Sequence, residues 1–275
     1  MRKFKFLVLL SSMCLVYGLH AGNAQVEAAV TKDDFCGTRN IAFGNGEELN
    51  FTVYYSIIGI YVNAGRATVT TQLKRLNNRP VYHIVGDGKS NTSYSWIAKV
   101  NNRYESYVDT ASMQPLKFIR DVHENNHKRY ENISFNRSTN TAITREGVYK
   151  VPSCIQDVVS SLYYARNINF DKYKIGDKIS FDMFLDNEVY SMYLRYMGKE
   201  EIKTRYGRFR TIKLKPLLLK GNTFDQGEKM TVWITDDNNR IPVRAESPIR
   251  VGSVKVDMMG YKNLRHPLTS LKKVR

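Results

Sequence analysis

Leu49, Phe51, Val53 and Tyr55 alternate with Asn50, Thr52 and Tyr54, the spacing of a strand with one buried face. Short runs of this kind recur almost to the end of the chain. "PVYHIVGDGKS", "WIAKV", "RYESYVD", "LKFIRDV", "KISFDMFLD", "FRTIKLKPLLL" and "MTVWITDD" are separated by polar turns such as Asn101-Asn102 and Asn136 to Asn140. Strands at hairpin spacing demand an antiparallel sheet. The expected fold is therefore all-β: curved antiparallel sheets forming an open barrel or sandwich. "VGDG" reads as the end of the third strand, with Gly86-Asp87-Gly88 as a turn. Gly59 and Asn63-Ala64-Gly65 are places for a bend or turn.

One stretch breaks the pattern. In "VPSCIQDVVSSLYYARN", Ile155, Val158, Val159, Leu162 and Tyr163 recur at helical spacing, predicting a helix over 154–166 with that stripe buried against the sheet. Ser153 and Gln156 fit a capping box, Asp157 suits the first turn and Arg166 the last. Arg166 also continues the apolar stripe, so it needs a partner: the last-turn carbonyls, Glu200 or Glu201, or an anionic ligand.

The first residues form a secretory signal. Arg2, Lys3 and Lys5 precede an apolar run from Phe6 to Leu19 that is too short to span a membrane comfortably, and Gly22 and Ala24 set cleavage after Ala24. Cys14 does not fit a lipoprotein site, because Met13 before it is not small. No later segment is apolar enough to span a membrane. The expected layout is a signal peptide at 1–24, a surface segment at 25–43, one β domain at 44–262 and a loosely held basic tail at 263–275. In the exported chain Cys36 and Cys154 remain, an even pair that reads as a disulfide or as two buried thiols.

The formal net charge is +16, of which Arg2, Lys3 and Lys5 supply three. Outside the cytoplasm such a charge favours anionic lipid, glycolipid or acidic glycan over nucleic acid, unless it is a general basic surface with no dedicated partner. Localisation to the periplasm or the outer-membrane periphery is expected.

The sequence contains one tempting catalytic motif. His123-Glu124-Asn125-Asn126-His127 matches the H-E-x-x-H zinc pattern, whose chemistry needs a helix to place both imidazoles on one face. Here Asn125-Asn126 is turn chemistry between two strand patterns, so a hairpin exposing two His fits better. Asp236-Asp237, in "TDDNNR", reads as a turn rather than a cation site. No G-x-S-x-G, phosphate-binding Gly loop or Cys-x-x-Cys is present, and no cofactor is expected. Trp96 and Trp233 sit within strand patterns, as core residues or as ligand platforms, and Tyr163 and Arg166 are the helix's candidate ligand contacts.

The order of segments has a further meaning. "FGNGEELNFTVYYSIIGIYVNAGRATV", "PLKFIRDVHE", "IQDVVSSLYYARN", "GKEEIKTRYGRFRTIKLKP" and "MTVWITDDNNRIPVRAESPIRVGSVKVDM" together resemble the exported bacterial family of unknown function DUF3108, over roughly 43–260. The resemblance implies mainly β envelope or periplasmic proteins and carries no catalytic residues. A helix on the concave side of a curved sheet also resembles, at the level of fold alone, periplasmic lipoprotein carriers. Three functions follow as alternatives. The first is a non-enzymatic envelope protein holding a lipid or acidic glycan in a cavity under the helix. The second is a metal-dependent hydrolase using His123, Glu124 and His127. The third is a structural module whose strand edges join an envelope complex.

Overall fold

A computed structural model describes residues 37–57, 60–94, 99–219, 227–249 and 252–274. The expected signal peptide, Cys36 and Trp96 lie outside the described residues. Two antiparallel meanders make up the sheet. The first comprises β1 (Glu48–Ile57), β2 (Ile60–Leu76), β3 (Arg79–Ser90), β4 (Val100–Asp109), β5 (Pro115–Glu124), β6 (His127–Asn136), β7 (Thr141–Ile143) and β8 (Val148–Lys150). The second comprises β9 (Lys178–Leu185), β10 (Glu188–Lys203), β11 (Gly207–Pro216), β12 (Thr231–Thr235), β13 (Pro242–Pro248) and β14 (Ser253–Lys262). Within each meander every strand pairs with its successor, and β1 pairs with β14 to join the two.

The turns explain the tight hairpins. Asn77 and Asn78 have φ of 48° and 65°, and Asp186 and Asn187 have 53° and 63°. Two successive left-handed residues match the twist of the flanking strands, and Asn and Asp tolerate that conformation better than other non-glycine residues. Asn63-Ala64-Gly65 is a bulge and not a turn: Val53 pairs with Gly65 while Tyr54 pairs with Asn63. A Cβ on Gly65 would meet the Lys89 carbonyl oxygen at 2.5 Å, which is why the bulge ends on glycine. Gly86-Asp87-Gly88 is likewise no turn, because β3 runs straight through it to Ser90.

The sheet is open, with β8 and β9 at its ends, and it curls until those ends approach. Phe184 of β9 lies 6.2 Å from Phe135 and 5.7 Å from Tyr149 between ring centroids. Arg120 and Arg129 from the first meander both pair with Asp186 in the β9–β10 turn. The chain between the meanders fills the seam. Gln156 bonds along β9 through its own backbone, N to Asp182 O and O from Phe184 N, both at 2.9 Å.

That linker carries α1 (Val158–Ala165), which starts later than the sequence predicts. Its cap is Asp157, whose carboxylate accepts from the amides of Val159 and Ser160 while Ser160 Oγ accepts from the Asp157 amide. The expected Ser153–Gln156 box does not form, since Gln156 is committed to β9. Of the predicted stripe, Val159 and Tyr163 are buried, whereas Leu162 is 59% exposed.

Two apolar clusters fill the interior. The larger one joins Phe118, Ile133 and Phe135 of the first meander to Ile179, Phe184 and Ile212 of the second, around Tyr163 and Tyr164 of α1. The smaller gathers Leu49, Phe51, Phe209, Val243 and Met258. Leu264, Leu268 and Leu271 pack onto it, and β15 (Leu271–Val274) pairs with β11. The C-terminal segment is thus docked by apolar burial and a strand ladder, against the expectation of a loose tail. At the other end Phe43 is fully buried in the larger cluster, so residues 37–43 do not simply run over the surface.

Candidate functional site: a groove beneath the helix

The register of β1 to β4 places small residues side by side on the concave face. Phe51 pairs with Ala67, Ala67 with Gly88, and Gly88 with Asn102. One step along, Leu49 pairs with Val69, Val69 with Gly86, and Gly86 with Tyr104. Ala67, Gly86 and Gly88 therefore form a shallow floor in the middle of the sheet. A Cβ added to either Gly86 or Gly88 would meet nothing within 4 Å. Above this floor pass Val158 and Leu162 of α1, and between them lies a groove of about 340 Å³. It lies between the two apolar clusters, taking Val159 and Tyr163 from one and Leu49 and Phe51 from the other, with Val69 packed against both.

The helix is held over the groove by buried polar contacts. Arg166, 2% exposed, donates to both carboxylate oxygens of Glu47 at 2.6 and 2.8 Å and to the Asn239 carbonyl at 3.0 and 3.1 Å. Its guanidinium also lies 4.9 and 5.2 Å from the ring centroids of Tyr163 and Phe43. Burial works against the Arg166 charge, but the Glu47 carboxylate outweighs it and the pKa is raised. Burial also pushes the Tyr163 phenol up, and its hydroxyl accepts from Thr71 Oγ1 at 3.0 Å. At the other end of α1, Ser106 Oγ donates to Asp157 at 2.6 Å. Burial raises the Asp157 carboxyl from 3.8 to about 6, against the pull of its hydrogen bonds.

Both charged residues in the groove wall are thereby committed. Arg166 belongs to Glu47, and Asp87 to Arg103 at 2.8 Å. Asn102 donates to Glu124 at 2.7 Å and accepts from the His123 amide. What remains facing the space is mostly hydrocarbon and strand backbone.

The other sequence candidates lie elsewhere. His123 ends β5 and His127 begins β6, flanking the Asn125-Asn126 turn. His123 pairs across the ladder with Lys128, and Glu124 with His127, so the two His leave opposite faces of the sheet. His123 Nε2 lies 2.9 Å from Asp121 Oδ1. The helix required by the zinc motif is absent, and no group of His, Cys, Asp or Glu among the described residues is arranged to hold a metal ion. Trp233 lies in β12 away from the groove, donating to Glu200 at 2.6 Å. Asp237 is occupied as a turn cap, accepting from Thr235 Oγ1 and the Asn239 amide. Cys154 is disulfide-bonded, with its partner outside the described residues.

Tyr163 and Arg166 line the groove, but their polar ends are turned to Thr71 and Glu47. Neither Glu200 nor Glu201 is the Arg166 partner. The floor residues escaped notice because "VGDG" reads as turn chemistry. The available signal was the spacing of the two glycines, which places both on one face of a continuous strand.

Comparison with known proteins agrees with this architecture. No curated protein matches the chain. Among solved structures, a β-barrel-like protein of domain of unknown function DUF1849 from Brucella abortus is similar with a TM-score of 0.53 and 6% identity, over 82% of this chain and 99% of that one. At that identity the likeness shows the fold alone. A protein of YmcC-like fold from Bacteroides fragilis matches over the same shares with 8% identity and a TM-score of 0.34. The family model described as protein of unknown function DUF3108 matches residues 50–259, and the chain belongs to that family.

Proposed function

We propose that this is an exported, non-enzymatic envelope protein that holds the hydrocarbon part of a lipid in the groove beneath α1. The observation that carries this reading is the glycine floor. Two glycines and an alanine sit where neighbouring strands supply core-sized side chains, leaving about 340 Å³ unfilled, within the usual range for ligand pockets. A monomer that gained nothing from this space would be more stable with it filled, because unfilled apolar volume costs stability. Apolar walls and fully paired charges suit an uncharged chain. An acidic glycan suits them poorly, since no cation in the wall is free. Export rests on the N-terminal signal and predicts a mature chain beginning at Gln25, which N-terminal sequencing of the protein recovered from its own envelope checks.

The test is uptake of a fluorescent fatty acid by wild type and by Gly88→Leu. Leucine at 88 enters open space, so the fold is retained while the groove is blocked. Uptake by wild type and its loss in the variant support the reading. Equal uptake by both proteins, or none by wild type, sinks it.

A further inference from the structure

The strands that floor the groove carry a row of cations on their outer face. Arg66 of β2 pairs across the ladder with Lys89 of β3, Lys89 with Asn101, Asn101 with His123, and His123 with Lys128 of β6. Cross-strand partners share a face, and the groove residues Ala67, Gly88 and Asn102 alternate with this row, so the cations point outward. The row spans four strand spacings, roughly 19 Å.

Arg66 directly opposite Lys89 is a like-charge pair, an arrangement that disfavours the sheet unless something neutralises it. Among the described residues nothing does. Asp87 is taken by Arg103, Asp121 by His123 and Asp257 by Arg244. Arg66, Lys89 and Lys128 are exposed, and none of them has an ion-pair partner among the described residues. On the same face as the row, farther along β2, Tyr61 pairs with Ser56 and is 42% exposed. The Lys255 ammonium lies 3.7 Å from the Tyr61 ring centroid.

From this juxtaposition we infer that the outer face of β2–β6 docks on an anionic lipid bilayer. The uncommitted cations meet the headgroup charge, and the amphipathic Tyr61 enters the boundary between headgroups and acyl chains. An acidic polysaccharide would satisfy the cations but leave the Tyr61 ring facing water. Docking of this kind does not depend on the groove holding a ligand.

The experiment is flotation of the purified protein with vesicles of phosphatidylglycerol in phosphatidylcholine, and with vesicles of phosphatidylcholine alone. Binding is expected only to the anionic vesicles and weakens as salt is raised. Replacing Arg66, Lys89 and Lys128 together by Glu weakens it by about 100-fold or more, at roughly fivefold for each charge removed. Tyr61→Ser weakens it by about tenfold. Lys89→Ala, a milder change at an exposed position, gives about fivefold and guards against misfolding of the triple variant. Gly88→Leu floats as wild type, and the triple variant still takes up the fatty-acid probe, which separates this result from the groove reading. Equal binding to neutral vesicles overturns the inference, as does indifference to the triple reversal. So does binding to an acidic polysaccharide with anionic vesicles left free.

Discussion

The ends of α1 and its open side are built on different terms. At its ends the helix and its leading segment are fastened: Gln156 to β9, Asp157 to Ser106 of β4, Arg166 to Glu47 just before β1, with Tyr164 fully buried. On the face that carries Val158 and Leu162, the helix looks onto a floor of Ala67, Gly86 and Gly88 and fills little of the space. A helix that only plugged a barrel would be packed on that face too. Tight fastening at the ends keeps the helix in place while the open side stays unfilled.

Breaking the fastened ends should have the largest effect. Glu47→Gln leaves the buried Arg166 charge without its counter-ion and is expected to cost about 3–5 kcal/mol of unfolding free energy in urea titrations. Glu47→Leu combined with Arg166→Met recovers most of that loss, because the desolvation of both charges is removed with the pair. A double variant as unstable as the single one contradicts this account of the pair.

The N-cap gives a smaller, pH-dependent effect. A carboxyl raised from 3.8 to about 6 binds its proton more tightly in the folded state. Its contribution therefore favours folding at low pH and is lost as pH rises from about 4 to about 6, by roughly 3 kcal/mol at most. Asp157→Asn removes this component. The stability difference between Asp157→Asn and wild type should change across that window and level off above it. A difference that stays constant with pH places the Asp157 carboxyl at an ordinary pKa.

The open side should respond least in stability and most in binding. Leu162→Ser, at a position already 59% exposed, is expected to shift unfolding by less than about 0.5 kcal/mol. The same change should weaken uptake of the fluorescent fatty acid several-fold, as an apolar lip is lost. A Leu162→Ser protein that is clearly destabilised but binds normally makes this side of α1 ordinary core, and the comparison fails.

Much of the strand content was legible because alternation is local: Leu49 and Phe51 point inward for the same reason that Asn50 and Thr52 do not. The Asn125-Asn126 turn was legible because turn chemistry is local too. The helix was found but started too early. Ser153 and Gln156 fit a capping box on paper, while β9 claims the Gln156 backbone across a gap the sequence does not display. The C-terminal segment looked loose because its leucines, 264, 268 and 271, are too sparse to show periodicity, yet each reaches the same cluster.

By itself, the sequence determined an antiparallel β protein with one helix and a long positive balance, since pleat, helical period and charge are written in neighbouring residues. Only the tertiary structure decided that Arg166 meets Glu47, 119 residues away. It also decided that Gly86 and Gly88 lie beneath α1 and that Arg66 stands opposite Lys89. Those outcomes depend on ladder register and on how far an open sheet curls. Both are set by the packing of the whole chain and by no segment of it alone.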